Sequence, residues 1–138
     1  MYKLLFVIAF VISLENVQAQ HRLIIQFDKA LTTSGNLLVY IYDKSKGFPK
    51  EKDKIFRKEI FEIHQTTEII INDLPFGTYA IVVVLDANKN KKMDRNFLGM
   101  PAEKYALSGQ PKFHFGPPRF DEIKFDFRRN NQILNLQF

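Results

Sequence analysis

One run of oxygen-bearing side chains has the spacing of a cation loop. It is Asp86-Ala87-Asn88-Lys89-Asn90-Lys91-Lys92-Met93-Asp94. Side-chain oxygens fall at loop positions 1, 3, 5 and 9, from Asp86, Asn88, Asn90 and Asp94, and Lys92 at position 7 offers its backbone carbonyl. Calcium is a hard cation that takes six to eight oxygens, and these are the positions from which a coiling loop supplies them. The alternation turns Lys89 and Lys91 outward. Lys91 stands at position 6, where such loops use glycine, and Phe97 stands at position 12, where they use a bidentate glutamate. Three lysines also sit beside only two carboxylates. A calcium ion here is therefore expected to bind weakly, with a dissociation constant of about 10⁻⁴–10⁻³ M. The other reading is a solvated hairpin tip, which Asn, Asp and Lys favour without any ion.

No catalytic set can be named from the remaining residues. The chain has no cysteine, which excludes disulfides, thiolate zinc sites, iron–sulfur clusters, a cysteine nucleophile and a lipidated cysteine anchor. His21, His64 and His114 lie in separate segments at no ligand spacing. Ser108-Gly109 lacks a nucleophile-elbow context, and no phosphate-cradling glycine loop occurs. Asp121 and Glu122 are adjacent on an apparent strand, so they face opposite sides.

The elements that must position the loop are strands. The apolar period beyond Gln20 is two, in the segments 22–28, 36–43, 56–63, 67–72, 77–85, 120–127 and 131–138. The run Ile81-Val82-Val83-Val84 predicts a central strand buried on both faces. Seven strands separated by turn signals predict an all-β, antiparallel Greek-key β-sandwich. In Asp73-Leu74-Pro75-Phe76-Gly77, proline presets φ and glycine is expected to supply a positive φ. The basic stretch 44–54 reads as a mobile loop. The stretch 86–119 shows no clean strand, yet Phe97, Leu98, Met100, Tyr105, Leu107, Phe113 and Phe115 give it apolar surface to pack. A segment that long is uncommon and often functional.

The 138 residues suit one domain. Residues 1–19 read as a secretory signal peptide: Lys3 is the basic start, Leu4 to Leu14 the apolar run, and Val17-Gln18-Ala19 the cleavage site. The run is too short to span a bilayer. Residues 20–138 then form a single exported β-sandwich domain, secreted or periplasmic, in a bacterium. Removing 1–19 takes away Lys3 and Glu15, so the net charge of +5 is unchanged. That charge suits acidic glycans or lipopolysaccharide phosphates, and export argues against nucleic acid.

Four separated motifs, in order, resemble one known bacterial family. They are Asp73 to Tyr79, Asp86 to Asp94, Asn96-Phe97-Leu98-Gly99-Met100-Pro101, and Phe115-Gly116-Pro117-Pro118. The chain from about Arg22 to Phe138 resembles the secreted family catalogued as domain of unknown function 2141. In that family the ion loop reads Asp-x-Asn-x-Asn-Gly-x-x-Asp, and Lys91 replaces its glycine here. The Leu74-to-Tyr79 piece is also similar to the transthyretin-like and carboxypeptidase-regulatory sandwiches, where the Gly makes the corner and the Tyr closes it. The resemblance implies export and a transthyretin-like or immunoglobulin-like sandwich; the family has no assigned reaction.

The resulting expectation is a non-enzymatic binding or accessory module of the cell envelope. Its partner is an envelope protein or glycan, no transmembrane span follows the signal, and 86–119 is its working surface. An enzyme acting on envelope glycans or small molecules, and a purely structural domain without an ion, are the alternatives.

Overall fold

The computed structural model describes residues 21–112 and 116–138. The signal-peptide reading of 1–19, and Phe113, His114 and Phe115, lie outside the described residues. No helix among those described is long and apolar enough to cross a membrane.

The protein is all-β, with two sheets. The strands are β1 (Leu23–Leu31), β2 (Asn36–Tyr42), β3 (Arg57–Glu62), β4 (Thr66–Ile71), β5 (Gly77–Asp86), β6 (Tyr105–Leu107), β7 (Phe125–Phe127) and β8 (Gln132–Leu136), with a short helix α1 (Phe120–Ile123). One sheet has the order β4-β1-β8; the other has β3-β2-β5-β6, and β7 pairs with the start of β5. All strand pairs are antiparallel except β1 with β8, which run parallel.

Eight strands are described where the alternation predicts seven. The addition is β6, which has three residues and is too short to show a period. The expected strand over 120–127 divides into α1 and β7. Phe120 and Ile123, three apart, are both buried on that single helical turn. Asp121 and Glu122 therefore sit on a helix: Asp121 pairs with Lys124, while Glu122 accepts the Arg119 N–H at 2.7 Å as a cap.

Alternation along β2 and β5 builds two cores. Leu37, Val39 and Ile41, with Tyr79, Ile81 and Val83, face the three-stranded sheet and pack with Leu23, Ile25, Ile71 and Phe127. The opposite residues Leu38, Tyr40, Tyr42, Ala80, Val82 and Val84 are buried too, under Phe120, Ile123, Phe48, Met93 and Tyr105. The doubly buried β5 is thus observed as its composition predicts. Its outer cover comes from Phe48 of the 44–54 stretch, Ile55, Met93, Tyr105 and Leu107 of the 86–119 stretch, and Phe120 and Ile123 of α1.

Phe48 carries the 44–54 stretch into this cover. Phe48 packs edge-on to Tyr42 at 4.9 Å and to Phe120 at 5.9 Å between ring centroids. Ser108 locks the other side, accepting the Ile81 N–H at 2.8 Å and donating to the Ile123 carbonyl at 2.6 Å. Gly109 allows that approach, since a Cβ there would lie 2.6 Å from Ile123 Cα.

The corner before β5 differs from expectation in one respect. Asp73, with φ +53°, takes the left-handed conformation. Gly77 has a different role: a Cβ on it would come within 3.3 Å of the Tyr79 hydroxyl. That hydroxyl donates to the Pro75 carbonyl at 2.8 Å and closes the corner.

Candidate functional site

The predicted ion loop leaves the end of β5, where Asp86 is fully buried. Its carboxylate organises the turn. Oδ1 accepts the Asn90 N–H at 3.1 Å, and Oδ2 accepts the Lys91 N–H at 2.9 Å and the Asn36 amide at 3.4 Å. Asn88 Oδ1 accepts the Asn90 N–H at 3.0 Å, and Asn90 Oδ1 accepts the Lys92 N–H at 2.8 Å. Such side-chain-to-backbone bonds are what makes Asx residues coil a loop. Both Asn amides donate to Asp94 Oδ2, at 3.0 and 2.7 Å, and these bonds hold its carboxyl below the usual range.

Lys91 resolves the question raised by its place at position 6. Its φ is +59°, the left-handed conformation that glycine adopts freely. A lysine takes it at a cost of about 1 kcal/mol. The Lys58 ammonium donates to the Lys91 carbonyl at 2.6 Å and braces it. Lys89 and Lys91 are both exposed.

Sequence reasoning missed Glu103. The chain pairs back on itself after Asp94, through an Arg95–Pro101 bridge and an Ala102 N–H bond to the Asp94 carbonyl at 2.7 Å. That return brings Glu103 against the loop, where Oε1 accepts the Ala87 N–H at 3.1 Å. Its Oε2 is buried and makes no hydrogen bond of good geometry, while the Ala87 and Asn88 N–H groups both face the carboxyl. Burial, with the Asp86 and Asp94 charges adding to it, raises the Glu103 carboxyl above its ordinary value. A linear motif that looks for its last acid at position 12 finds Phe97 there, because the tip loops out before the acid arrives.

The five predicted positions Asp86, Asn88, Asn90, Lys92 and Asp94 therefore lie on one coiled turn, and Glu103 joins them. Among the described residues, no three His, Asp or Glu side chains form a ready metal-holding group. Most remaining oxygens of the turn belong to amides and carbonyls, which are calcium ligands too.

The two described histidines, His21 and His64, are engaged apart from this turn. His21 stacks on Phe76 at 3.9 Å, and His64 lies 3.4 Å from Glu62. An open hollow of about 670 Å³ beside β6 and β8 is lined by Tyr105, Ser108, Gln110, Asn135 and Gln137 among others, with no carboxylate or histidine among the described residues of its lining.

This fold and loop define a bacterial β-sandwich class without an assigned chemistry. The family model described as "Uncharacterized protein conserved in bacteria (DUF2141)" matches residues 25–135, and the chain belongs to that family. No match was found among curated proteins or among solved structures.

Proposed function

We propose that this protein is an exported, non-enzymatic binding module of the cell envelope whose 86–94 turn takes a weak calcium ion. The ion orders the 86–119 cover, which is the working surface. The observation that carries the reading is the Asx-coiled turn itself, with Glu103 brought against it at Ala87 and the Asp86 and Asp94 charges adding to the burial that raises its carboxyl. A cation relieves that repulsion. Asp94 and Glu103 supply charge, while Asn88 and Asn90 supply amide oxygens and Lys92 its carbonyl. The surface suits binding better than catalysis: Ser108 is fully used in holding β5 to α1, and the hollow beside it offers amides and a Tyr105 ring, chemistry that takes an uncharged glycan.

Thermal unfolding of residues 20–138, which contain both cores, tests the ion. At about 5 mM CaCl₂ a site of the expected affinity adds about 1–2 kcal/mol, seen as a higher Tm than in matched MgCl₂ or EDTA. Glu103→Gln should abolish that calcium response. It should also raise the Tm in EDTA at neutral pH. The raised Glu103 carboxyl means that the folded state favours the protonated form. Its cost is absent below the unfolded value, appears as pH rises through the folded value, and is relieved by the neutral amide. An unchanged calcium response in Glu103→Gln, or equal Tm values in all three solutions, would overturn the calcium reading.

A further inference from the structure

We propose that the face formed by the 95–100 tip and the lysines beside it docks onto an anionic phospholipid surface. This extends the reading of 86–119 as a working surface and does not depend on the calcium ion.

The tip is built to present apolar side chains. Asn96 closes it, with its N–H bonded to the Met100 carbonyl at 2.9 Å and its Oδ1 accepting the Leu98 and Met100 N–H groups at 3.0 and 3.1 Å. The Gly99 N–H returns to the Asn96 carbonyl at 2.9 Å. On this fixed turn Phe97 is 96% exposed and Leu98 45% exposed. Neither belongs to a core. Holding them in one conformation beforehand lowers the ordering cost of insertion.

The base of the tip is cationic. Arg95 bonds the Gly99 carbonyl at 2.7 Å and the Pro49 carbonyl at 2.5 Å, tying the tip to the 44–54 stretch. The Lys50 stem lies against Gly99, 3.4 Å from where a Cβ would stand. Lys52, Lys58, Lys92 and Arg95 rim a hollow of about 270 Å³ that Tyr40 also lines. Among the described residues, Lys50, Lys52, Lys58, Lys91 and Lys92 form no ion pair.

Charge complementarity selects an anionic occupant, and the shape of the apolar part selects a lipid layer. Two side chains on an isolated tip are a small patch beside the roughly 800 Å² per partner of a stable protein interface. A headgroup layer accepts single apolar side chains at its acyl boundary while lysines stay with the phosphates. Phe97 and Leu98 would enter that boundary, and Lys50, Lys52, Lys58 and Lys92 would meet lipid phosphates.

The test is co-sedimentation of residues 20–138 with vesicles in EDTA at about 0.1 M salt. Vesicles of phosphatidylcholine alone are compared with vesicles containing about 30% phosphatidylglycerol, where each nearby lysine contributes about fivefold to binding. The expected result is pelleting with the anionic vesicles only. Lys50→Gln with Lys52→Gln should weaken it about 25-fold. Phe97→Ser with Leu98→Ser should weaken it at least about tenfold. Both double variants should keep the wild-type Tm, because none of the four residues lies in a core. No pelleting, equal pelleting with both vesicles, or an unchanged partition for the Phe97/Leu98 variant would overturn the proposal. So would sedimentation velocity showing a dimer that Phe97→Ser dissociates, since the tip would then cover a second copy. Absence of vesicle binding by the unsubstituted protein, with calcium stabilisation present, would overturn this proposal and leave the ion reading standing; the reverse pattern would do the opposite.

Discussion

Asp86→Ala is expected to lower stability by about 3 kcal/mol, or roughly 10 °C in Tm, with no calcium present. The carboxylate is fully buried and accepts two backbone N–H groups and the Asn36 amide. Alanine removes the acceptor of the Lys91 N–H and the Asn36 amide, while the Asn90 N–H keeps only Asn88 Oδ1, and bonds to a charged acceptor are the strong kind. The site cannot collapse to compensate. Asn36 is the register partner of Asp86 across β2 and β5, and Gly35 packs so closely that a Cβ on it would lie 2.7 Å from the Asp86 carbonyl. Asp94→Ala is the control. That carboxylate holds only the Asn88 and Asn90 amides, so its loss should shift the Tm far less while still removing the calcium response. The two acids of the sequence motif thereby separate into an anchor and a ligand. Urea unfolding in EDTA measures the difference; equal effects for the two variants would refute the division.

Phe120→Ala should cost about 3–4 kcal/mol, as truncation of a buried phenyl ring does. Phe120 caps the outer face of the five-stranded sheet and meets Phe48 edge-on. Its loss opens a cavity over Tyr42 and Val82 that both covering stretches border. The urea midpoint should fall, and a dye that binds exposed apolar surface should fluoresce more strongly under native conditions. A cost below about 1 kcal/mol with no added dye binding would mean that the sandwich folds without its cover. Phe120→Leu, which keeps most of the volume, should recover most of the loss.

These two variants mark the places where sequence patterning and structure part. Alternation identifies β2 and β5 because both faces of each are apolar, and a face that must be buried shows in composition. It does not say what buries it. The outer cover is assembled from Phe48, Met93, Tyr105, Phe120 and Ile123, which span residues 48–123 and share no period. The stretch 44–54 reads as a loop because five lysines surround Phe48, and one buried ring in a charged segment gives no repeating signal. The three-residue β6 and the single turn of α1 fall below the length at which a period can be read.

The ion turn divides in the same way. Its local part is legible, since Asx residues at alternate positions coil a chain through bonds to their own neighbours. Asp86, Asn88, Asn90 and Asp94 need no tertiary information to be grouped. Glu103 does, because it reaches the turn only after the Asn96-closed tip has turned the chain back. The outward Phe97 is legible as an aromatic and not as an exposed one.

The sequence by itself determined the β class, the two-sided burial of β5, the family and the grouping of oxygens on one turn. All four depend on patterns within a few residues or on motifs kept in order. Tertiary structure alone decided the parallel pairing of β8 with β1, since alternation is blind to strand direction. It also decided the second core over the outer sheet face, the burial that makes Asp86 an anchor, and the arrival of Glu103. Each of those depends on contacts between residues far apart in the chain, and no local period encodes them.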